Sequence, residues 1–263
     1  MSTPSYQPRR PSRLRRHAIR GIDYAVHEWG EPAGRLLVCL HGWGDTGAGF
    51  QFLADELGDA VTFYKIGLEL MMSGGYFELL DWMLERDKKV FCDLKFFDIP
   101  ATVASAVRQL KDRGAAFVTV HGNQSIMEAA AENKGDTLKV LAVTVLTSLD
   151  RGDLDDLGFD CDVGDLVLSR ARRALEAGCD GVISSGLEVP RLRDNIDDKL
   201  LVVTPGIRPV DNKPAGDQKR VVTVDTAFGN GADYIVVGRP IRDADSPREA
   251  AEAIQATIAK AVS

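Results

Sequence analysis

A short stretch of the chain combines the pattern of a buried β-strand with three charged side chains. The segment KVFCDLKFFDIPAT, residues 89–102, places Asp93, Lys95 and Asp98 within six residues, among Val, Phe, Cys, Leu and Ile. Alternate residues of a strand share one face, so Asp93 and Lys95 should leave the strand on the same side. An acid beside a lysine at a strand end perturbs the pKa of its partner and suits proton transfer.

Eight short β-rich runs would position these side chains, and helical patterns lie between most of the runs. The runs are LLVCLH (36–41), TFYKIG (62–67), KVFCDLK (89–95), FVTVHG (117–122), KVLAVTVL (139–146), DGVISS (180–185), LLVVTPG (200–206) and YIVVG (234–238). Strands that alternate with helices predict a parallel α/β fold, and eight of them fit a closed (β/α)8 TIM barrel best. A doubly wound sheet is the alternative, but no GxGxxG motif follows the first strand.

The barrel would bring four charged residues to one place. Asp93 and Lys95 would sit at the carboxyl-terminal rim of the barrel interior, where barrel enzymes hold their chemistry. Lys65 ends the preceding strand, and Asp98 follows in the loop. We interpret these residues as an alternating charge network. The alternative is a salt bridge between Asp93 and Lys95 that only closes the barrel mouth, although a buried ion pair often fails to offset its desolvation.

The last two predicted strands lead into segments that could bind phosphate. The seventh strand runs into TPGIRP, with Gly206 and Arg208, and the eighth runs into VVGRPI, with Gly238 and Arg239. Phosphate sites of barrels lie after these two strands, glycine lets the backbone approach a ligand, and arginine makes bidentate contacts to phosphate. Gln218, in GDQKRVVT between them, could donate another hydrogen bond. The alternative is turn glycines with solvated arginines.

Together these segments resemble the orotidine 5'-phosphate decarboxylase family. The family's DxKxxDIPxT pattern is present as DLKFFDIPAT, and FYKIGLEL, AVTVLTS, TPGIRP, GDQKRV and GADYIVVGRPI also look like family segments. The resemblance runs from about residue 59 to residue 263. No single segment is specific, but the combination is.

The resemblance implies a role for each matching residue. Lys95 resembles the proton donor to C6 of the pyrimidine, Asp93 the acid beside the substrate carboxylate, and Lys65 the lysine that links the ribose to the charge network. Asp98 and Thr102 look like residues that the family lends to the neighbouring subunit's site, which implies a homodimer. The expected pyrimidine contacts are Thr147 and Ser148, and the expected phosphate contacts are Arg208, Gln218, Gly238 and Arg239.

The implied reaction is the conversion of orotidine 5'-phosphate to UMP in de novo pyrimidine biosynthesis, with no cofactor and no metal. Loss of CO2 from C6 leaves an electron pair orthogonal to the ring π system, so the ring is a poor electron sink. A fixed ammonium group at Lys95 would stabilise the developing carbanion and then protonate it. The polar segment 209–219 is a candidate lid over the substrate.

The amino-terminal part departs from the family pattern. Residues 1–16 indicate a basic disordered tail, residues 17–34 an appendage, and residues 35–263 the barrel domain. The segment 17–57 resembles the start of an α/β-hydrolase, with two β-strands, then a strand that ends in an HGxxx loop, then a helix. Such a strand, loop and helix would replace the first βα unit of the barrel and make the chain a chimera. His41 stands where the family has a ribose-binding Asp, and Asp45 is a candidate replacement.

Hydrolase chemistry and metal chemistry are both disfavoured. No serine lies in the GxSxG pattern that a hydrolase nucleophile needs. A Mg-dependent sugar-phosphate decarboxylase or aldolase of the same superfamily remains an alternative, but such relatives have an acid where Lys65 stands. A second alternative is a barrel that the exchanged first unit has impaired. We expect His121 to be structural.

Bulk composition excludes other classes of protein. The net charge of −7 gives no reason to expect nucleic-acid binding, and no apolar run approaches the roughly 20 residues of a membrane span. The four cysteines are dispersed and form no CxxC pair, so we interpret them as reduced thiols. These features predict a cytoplasmic protein that binds a small molecule.

Overall fold

The computed structural model describes residues 13–19, 22–28, 47–208 and 220–262. Within these ranges a seven-stranded parallel sheet forms the centre of the protein. Its strands are β3 (Phe63–Gly67), β4 (Lys89–Phe96), β5 (Phe117–His121), β6 (Lys139–Val143), β7 (Gly181–Ile183), β8 (Leu201–Thr204) and β9 (Tyr234–Ile235). They pair in chain order from β3 to β9. A doubly wound sheet would reverse this order at one point, so that alternative does not apply.

Helices follow the strands and cover the outside of the sheet. They are α1 (Gly47–Leu57), α2 (Leu68–Met72), α3 (Tyr76–Leu84), α4 (Pro100–Arg113), α5 (Gln124–Asn133), α6 (Arg151–Asp156), α7 (Val163–Glu176), α8 (Val189–Asn195), α9 (Val224–Gly229), α10 (Arg239–Arg242) and α11 (Pro247–Ala261), with a 3-10 turn at Gly58–Ala60. None of the helices in the described part of the chain has the length and apolar character to cross a membrane.

Aromatic contacts between its two edges show that the sheet is curled. Phe63 lies on the first strand of the sheet and Tyr234 on the last, yet their ring centroids are only 5.9 Å apart. Phe117, from the middle of the sheet, contacts both rings, at 5.0 and 5.3 Å. The sheet therefore forms part of a barrel whose interior is filled by side chains at this level.

Alternation along β4 gives one face to the barrel interior and the other to the helices. Phe91 packs with Phe117 in the interior, whereas Val90 and Cys92 belong to the separate core between sheet and helices. This confirms the alternation that the sequence predicts, and it turns Asp93 towards the interior.

Gly181 on β7 is required by the packing of the interior. A Cβ atom at this position would lie 2.5 Å from the carbonyl oxygen of Leu201 and 2.8 Å from a methyl group of Leu141. Backbone cannot yield at that distance, so only glycine lets β7 approach its two neighbours so closely.

The amino-terminal residues form a separate element. Strands β1 (Arg13–Ile19) and β2 (Ile22–Glu28) pair with each other in an antiparallel two-stranded sheet and not with the central sheet. Strand β1 begins at Arg13, inside the span 1–16 that was predicted to be a tail, and the division into tail, appendage and barrel domain stays a prediction. The predicted first barrel strand at 36–41, His41 and Asp45 all lie outside the described residues, so closure with eight strands stays a prediction.

Candidate active site

The ends of β3 and β4 bring two lysines to one carboxylate. Lys65 Nζ lies 3.0 Å from Asp93 Oδ2, and Lys95 Nζ lies 2.8 Å from the same oxygen. Asp93 is buried, with 8% of its surface exposed, while about a third of each lysine side chain stays exposed. The three residues therefore form one ion cluster whose ammonium groups remain open on one side.

The two lysines keep Asp93 ionised in spite of its burial. Burial alone would raise the pKa of this carboxyl, but the charges of Lys65 and Lys95, and their hydrogen bonds, outweigh it and hold the pKa below its ordinary value. At neutral pH the cluster thus carries one negative and two positive charges. A site with this excess positive charge favours an anion that approaches from the open side.

The backbone at Lys95 is held in an uncommon conformation. Lys95 has a φ of 49°, in the left-handed region, and the pairing of β4 with β5 shifts register between Cys92 and Phe96. Such a conformation costs free energy in a residue with a Cβ, and it persists only where the surroundings enforce it. The bulge sets the direction in which the Lys95 side chain leaves the strand.

Thr119 on β5 enforces this geometry. Its hydroxyl accepts a hydrogen bond from the Lys95 backbone N–H and donates one to Asp93 Oδ1, each at 2.9 Å. Thr119 is fully buried. No local sequence pattern marks Thr119 as part of the site, although it lies two positions after Phe117 and so shares its inward face.

Asp98 and Thr102 follow the ion cluster along the chain. Both are exposed, in the loop after β4 and in the first turn of α4. The Asp98 carboxylate accepts a hydrogen bond from the N–H of Ile99 at 2.6 Å. The structure therefore leaves both side chains facing outwards from this chain.

His121 stacks on the loop that carries Asp98. Its ring lies 4.6 Å from that of Phe97, with an angle of 29° between the planes. Burial, and then the charges of Arg170 and Lys95, lower the pKa of His121. The neutral ring thus packs against the loop after β4, in line with the structural role that we expected.

Thr147 and Ser148 form a turn in the loop after β6, and arginines hold the residues before it. Both turn residues are half-buried. Arg170, on α7, donates to the carbonyl of Thr144 at 2.5 Å. Arg220 donates to the carbonyls of Val145 and Leu146, at 3.3 and 3.0 Å. Hydrogen bonds to three consecutive carbonyls thus hold residues 144–146, which lead into the turn.

The predicted phosphate residues follow neighbouring strands. Gly206, after β8, has a φ of 79°, a conformation that favours glycine. Arg208 follows it, and its backbone N–H donates to the carbonyl of Val222 at 3.0 Å. Gly238 and Arg239 come after β9, where Arg239 opens α10. Gln218 and the candidate lid at 209–219 lie outside the described residues.

Comparison with known proteins identifies the family. Residues 46–254 match the model of the family described as "Orotidine 5'-phosphate decarboxylase / HUMPS family". The chain belongs to this family. It is 71% identical over 206 residues to the orotidine 5'-phosphate decarboxylase of Methylococcus capsulatus, which covers 78% of this chain and 85% of the relative. It is 48% identical over 229 residues to that of Nitrobacter winogradskyi, covering 87% and 94%.

A solved structure supports the same assignment. The crystal structure of orotidine 5'-phosphate decarboxylase from Lactobacillus acidophilus superposes with a TM-score of 0.71 and 35% identity, covering 81% of this chain and 94% of that one. The family match begins at residue 46, inside the segment 17–57 that resembles a hydrolase. Helix α1 thus belongs to the decarboxylase family, and the hydrolase resemblance gains no support.

We predict that Thr119→Val lowers stability more than Thr144→Val does. Both hydroxyls are fully buried, but Thr119 donates to an ionised carboxylate and Thr144 to the neutral carbonyl of Ile183. We expect losses of about 1.5–3 and about 0.5–1.5 kcal/mol respectively in urea unfolding at pH 7.

The pH dependence separates the two variants further. Because the pKa of Asp93 is depressed, its contribution is present above the ordinary Asp value of about 3.9 and is lost as pH falls below it. The deficit of Thr119→Val should therefore shrink below about pH 4, while that of Thr144→Val stays constant. Equal, pH-independent losses would contradict this account of the site.

Proposed function

We propose that this protein decarboxylates orotidine 5'-phosphate to UMP, in pyrimidine biosynthesis and without a cofactor. The observation that carries the proposal is the ion cluster of Lys65, Asp93 and Lys95 at the carboxyl-terminal edge of a decarboxylase-family sheet. Family membership supplies the substrate class, and the cluster supplies groups that suit the chemistry.

Lys95 would carry the proton transfer. As the bond between C6 and the carboxylate breaks, CO2 leaves and its electron pair stays on C6. The Lys95 ammonium stabilises this charge and then gives C6 a proton, so that the neutral amine must be reprotonated from solvent. The bulge at Lys95 and its bond to Thr119 hold the group in place before the reaction begins.

Asp93 would lie beside the substrate carboxylate. Two negative charges about 4 Å apart repel each other by about 4 kcal/mol at an effective dielectric constant of about 20. Loss of CO2 removes this repulsion. Asp93 also orients Lys65 and Lys95, because both ammonium groups contact its carboxylate.

The remaining residues would bind the parts of the substrate that do not react. Lys65 would contact the ribose, the Thr147–Ser148 turn the pyrimidine, and a group after β8 and β9 the phosphate. The residues that would bind the phosphate are Arg208, Gln218, Gly238 and Arg239. Binding energy from this remote phosphate can close the segment 209–219 over the site and orient the ring. The ribose contact that His41 or Asp45 would supply and the cytoplasmic location stay predictions.

We further propose that two chains form a homodimer through the segments after β3 and β4. Leu68 and Met72 are 59% and 79% exposed, and Phe97 and Ile99 are 65% and 66% exposed. Because β3 and β4 are neighbours, these apolar side chains leave adjacent strand ends. Asp98 and Thr102 lie among them and would enter the partner's site.

The strand pattern at 36–41 would close the sheet between β3 and β9 as an eighth strand. The contact between Phe63 and Tyr234 shows that the two edges already approach each other. Slow amide hydrogen exchange over 36–41 would accord with this closure, whereas exchange at the rate of an unfolded peptide would exclude it.

The alternative of Mg-dependent chemistry on a sugar phosphate is less favoured by the site. Lys65 stands where such relatives have an acid, and its Nζ lies 3.0 Å from Asp93 Oδ2. An ammonium group there competes with a cation for the Asp93 carboxylate. Decarboxylation of orotidine 5'-phosphate in the presence of EDTA would decide in favour of the reaction without a metal. If no CO2 is released with or without Mg²⁺, the barrel has lost this activity.

We predict that Lys95→Ala and Asp98→Ala are each nearly inactive alone but restore activity when mixed. Lys95→Ala should lower kcat at least about a hundredfold, which is the lower end of the contribution that a single general acid makes. In a mixed dimer one site holds an intact Lys95 and the partner subunit's intact Asp98. Random exchange should then recover about a quarter of wild-type activity.

The assay is CO2 release from orotidine 5'-phosphate after the two variants are unfolded and refolded together. A mixture of Lys95→Ala with Asp93→Asn is the control. Both changes lie in one chain's own cluster, so each site of a mixed dimer keeps one of the two defects and no activity should return. Recovery that is absent from the Lys95→Ala and Asp98→Ala mixture, with a mass of one chain by light scattering, would rule out the shared site.

A further inference from the structure

Arg220 connects three loops at the carboxyl-terminal edge of the sheet. Its guanidinium group donates to the carbonyls of Val145 and Leu146 in the loop after β6, and to Glu188 Oε1 at 2.6 Å in the loop after β7. Arg220 itself lies in the segment that leads from β8 to α9. One side chain therefore spans the space above β6, β7 and β8.

The segment that carries Arg220 is tied to the residues directly after β8. Val222 forms an isolated parallel bridge with Ile207. The N–H of Arg208 donates to the carbonyl of Val222 at 3.0 Å, and the N–H of Val222 donates to the carbonyl of Gly206 at 3.2 Å. A displacement of Arg220 would therefore be transmitted to Arg208.

The ion pair of Arg220 with Glu188 is poorly suited to stabilising the fold alone. Their side chains are only 12% and 13% exposed. Among the described residues, Arg220 Nε and Glu188 Oε2 are buried without a hydrogen-bond partner. Unpartnered buried groups and the desolvation of two charges both cost free energy. The ion pair persists in spite of these costs, which indicates that its role is to place the Arg220 side chain rather than to stabilise the fold.

We infer that Arg220 is a positioning residue that couples the Thr147–Ser148 turn to the Arg208 segment. The inference rests on the proposed function, in which the turn contacts the pyrimidine and Arg208 the phosphate. Arg220 holds the carbonyl of Leu146, the residue directly before the turn, from the same element that pairs with Arg208. Binding of phosphate at one end would then hold the pyrimidine contacts at the other in their productive place.

Arginine suits this task better than lysine does. A guanidinium group presents several N–H donors in a fixed plane, so it reaches two carbonyls and a carboxylate at once. A lysine retains the charge but cannot keep all three contacts in one geometry. Arg220→Lys therefore breaks the connection while leaving Glu188 a positive partner.

Arg193 provides a matched control at the opposite end of the strands. It also donates to two carbonyls, of Gly231 and Leu200, and to one carboxylate, that of Asp233. Its side chain is 19% exposed. These partners precede β8 and β9, so Arg193→Lys removes similar contacts far from the proposed site.

The experiment compares Arg220→Lys with Arg193→Lys by melting temperature and by kcat/KM for orotidine 5'-phosphate. We expect both variants to lose a similar amount of thermal stability. Only Arg220→Lys should lose kcat/KM, by about tenfold or more, the size of a typical coupling between two sites. Equal kcat/KM in the two variants would overturn the inference.

Hydrogen exchange tests the inference without any turnover. Arg220→Lys should speed amide exchange in both 145–149 and 206–208, whereas Arg193→Lys should leave both segments unchanged. If the wild type releases no CO2 from the substrate, the proposed function fails, but this comparison still decides the coupling. Faster exchange in only one of the two segments would show that Arg220 does not connect them.

Discussion

The site depends on one buried carboxylate between two ammonium groups. Asp93 turns inward because β4 alternates its faces, and Lys65 reaches it because β3 is the neighbouring strand. Burial makes the carboxylate costly unless both lysines stay charged and close. The buried carboxylate in turn holds both lysines close to it. The arrangement that the chemistry requires is therefore also the one that offsets the desolvation of Asp93.

The surrounding fold supplies what this cluster cannot provide alone. The bulge at Lys95 and the hydroxyl of Thr119 fix the direction of the lysine, at the cost of a left-handed backbone. Aromatic rings fill the barrel interior on the other side of the cluster. At the rim, arginines hold backbone carbonyls of the loop after β6, so that even irregular segments have a defined position.

Local pattern predicted the strands and the charged strand ends, because alternation and short apolar runs report directly on burial. Seven of the predicted strands are present, although β6, β7, β8 and β9 end before their predicted runs do. Thr119 and Arg220 escaped prediction since their partners lie 24 and 75 residues away, beyond any local pattern. The hydrolase resemblance rests on an apolar strand, a glycine-rich loop and a helix, which are common to many α/β proteins, and residues 46–57 match the decarboxylase family.

The ionisation of Asp93 is the property on which the account rests most directly. Carbon-13 NMR of the aspartate carboxyl groups, followed from pH 7 to pH 4 and assigned with Asp93→Asn, measures it. Asp93 should stay ionised throughout this range in the wild type, and Lys65→Met should move its midpoint upwards, because only one ammonium group then opposes the effect of burial. A wild-type midpoint above the ordinary Asp value, or one that Lys65→Met leaves unchanged, would contradict it.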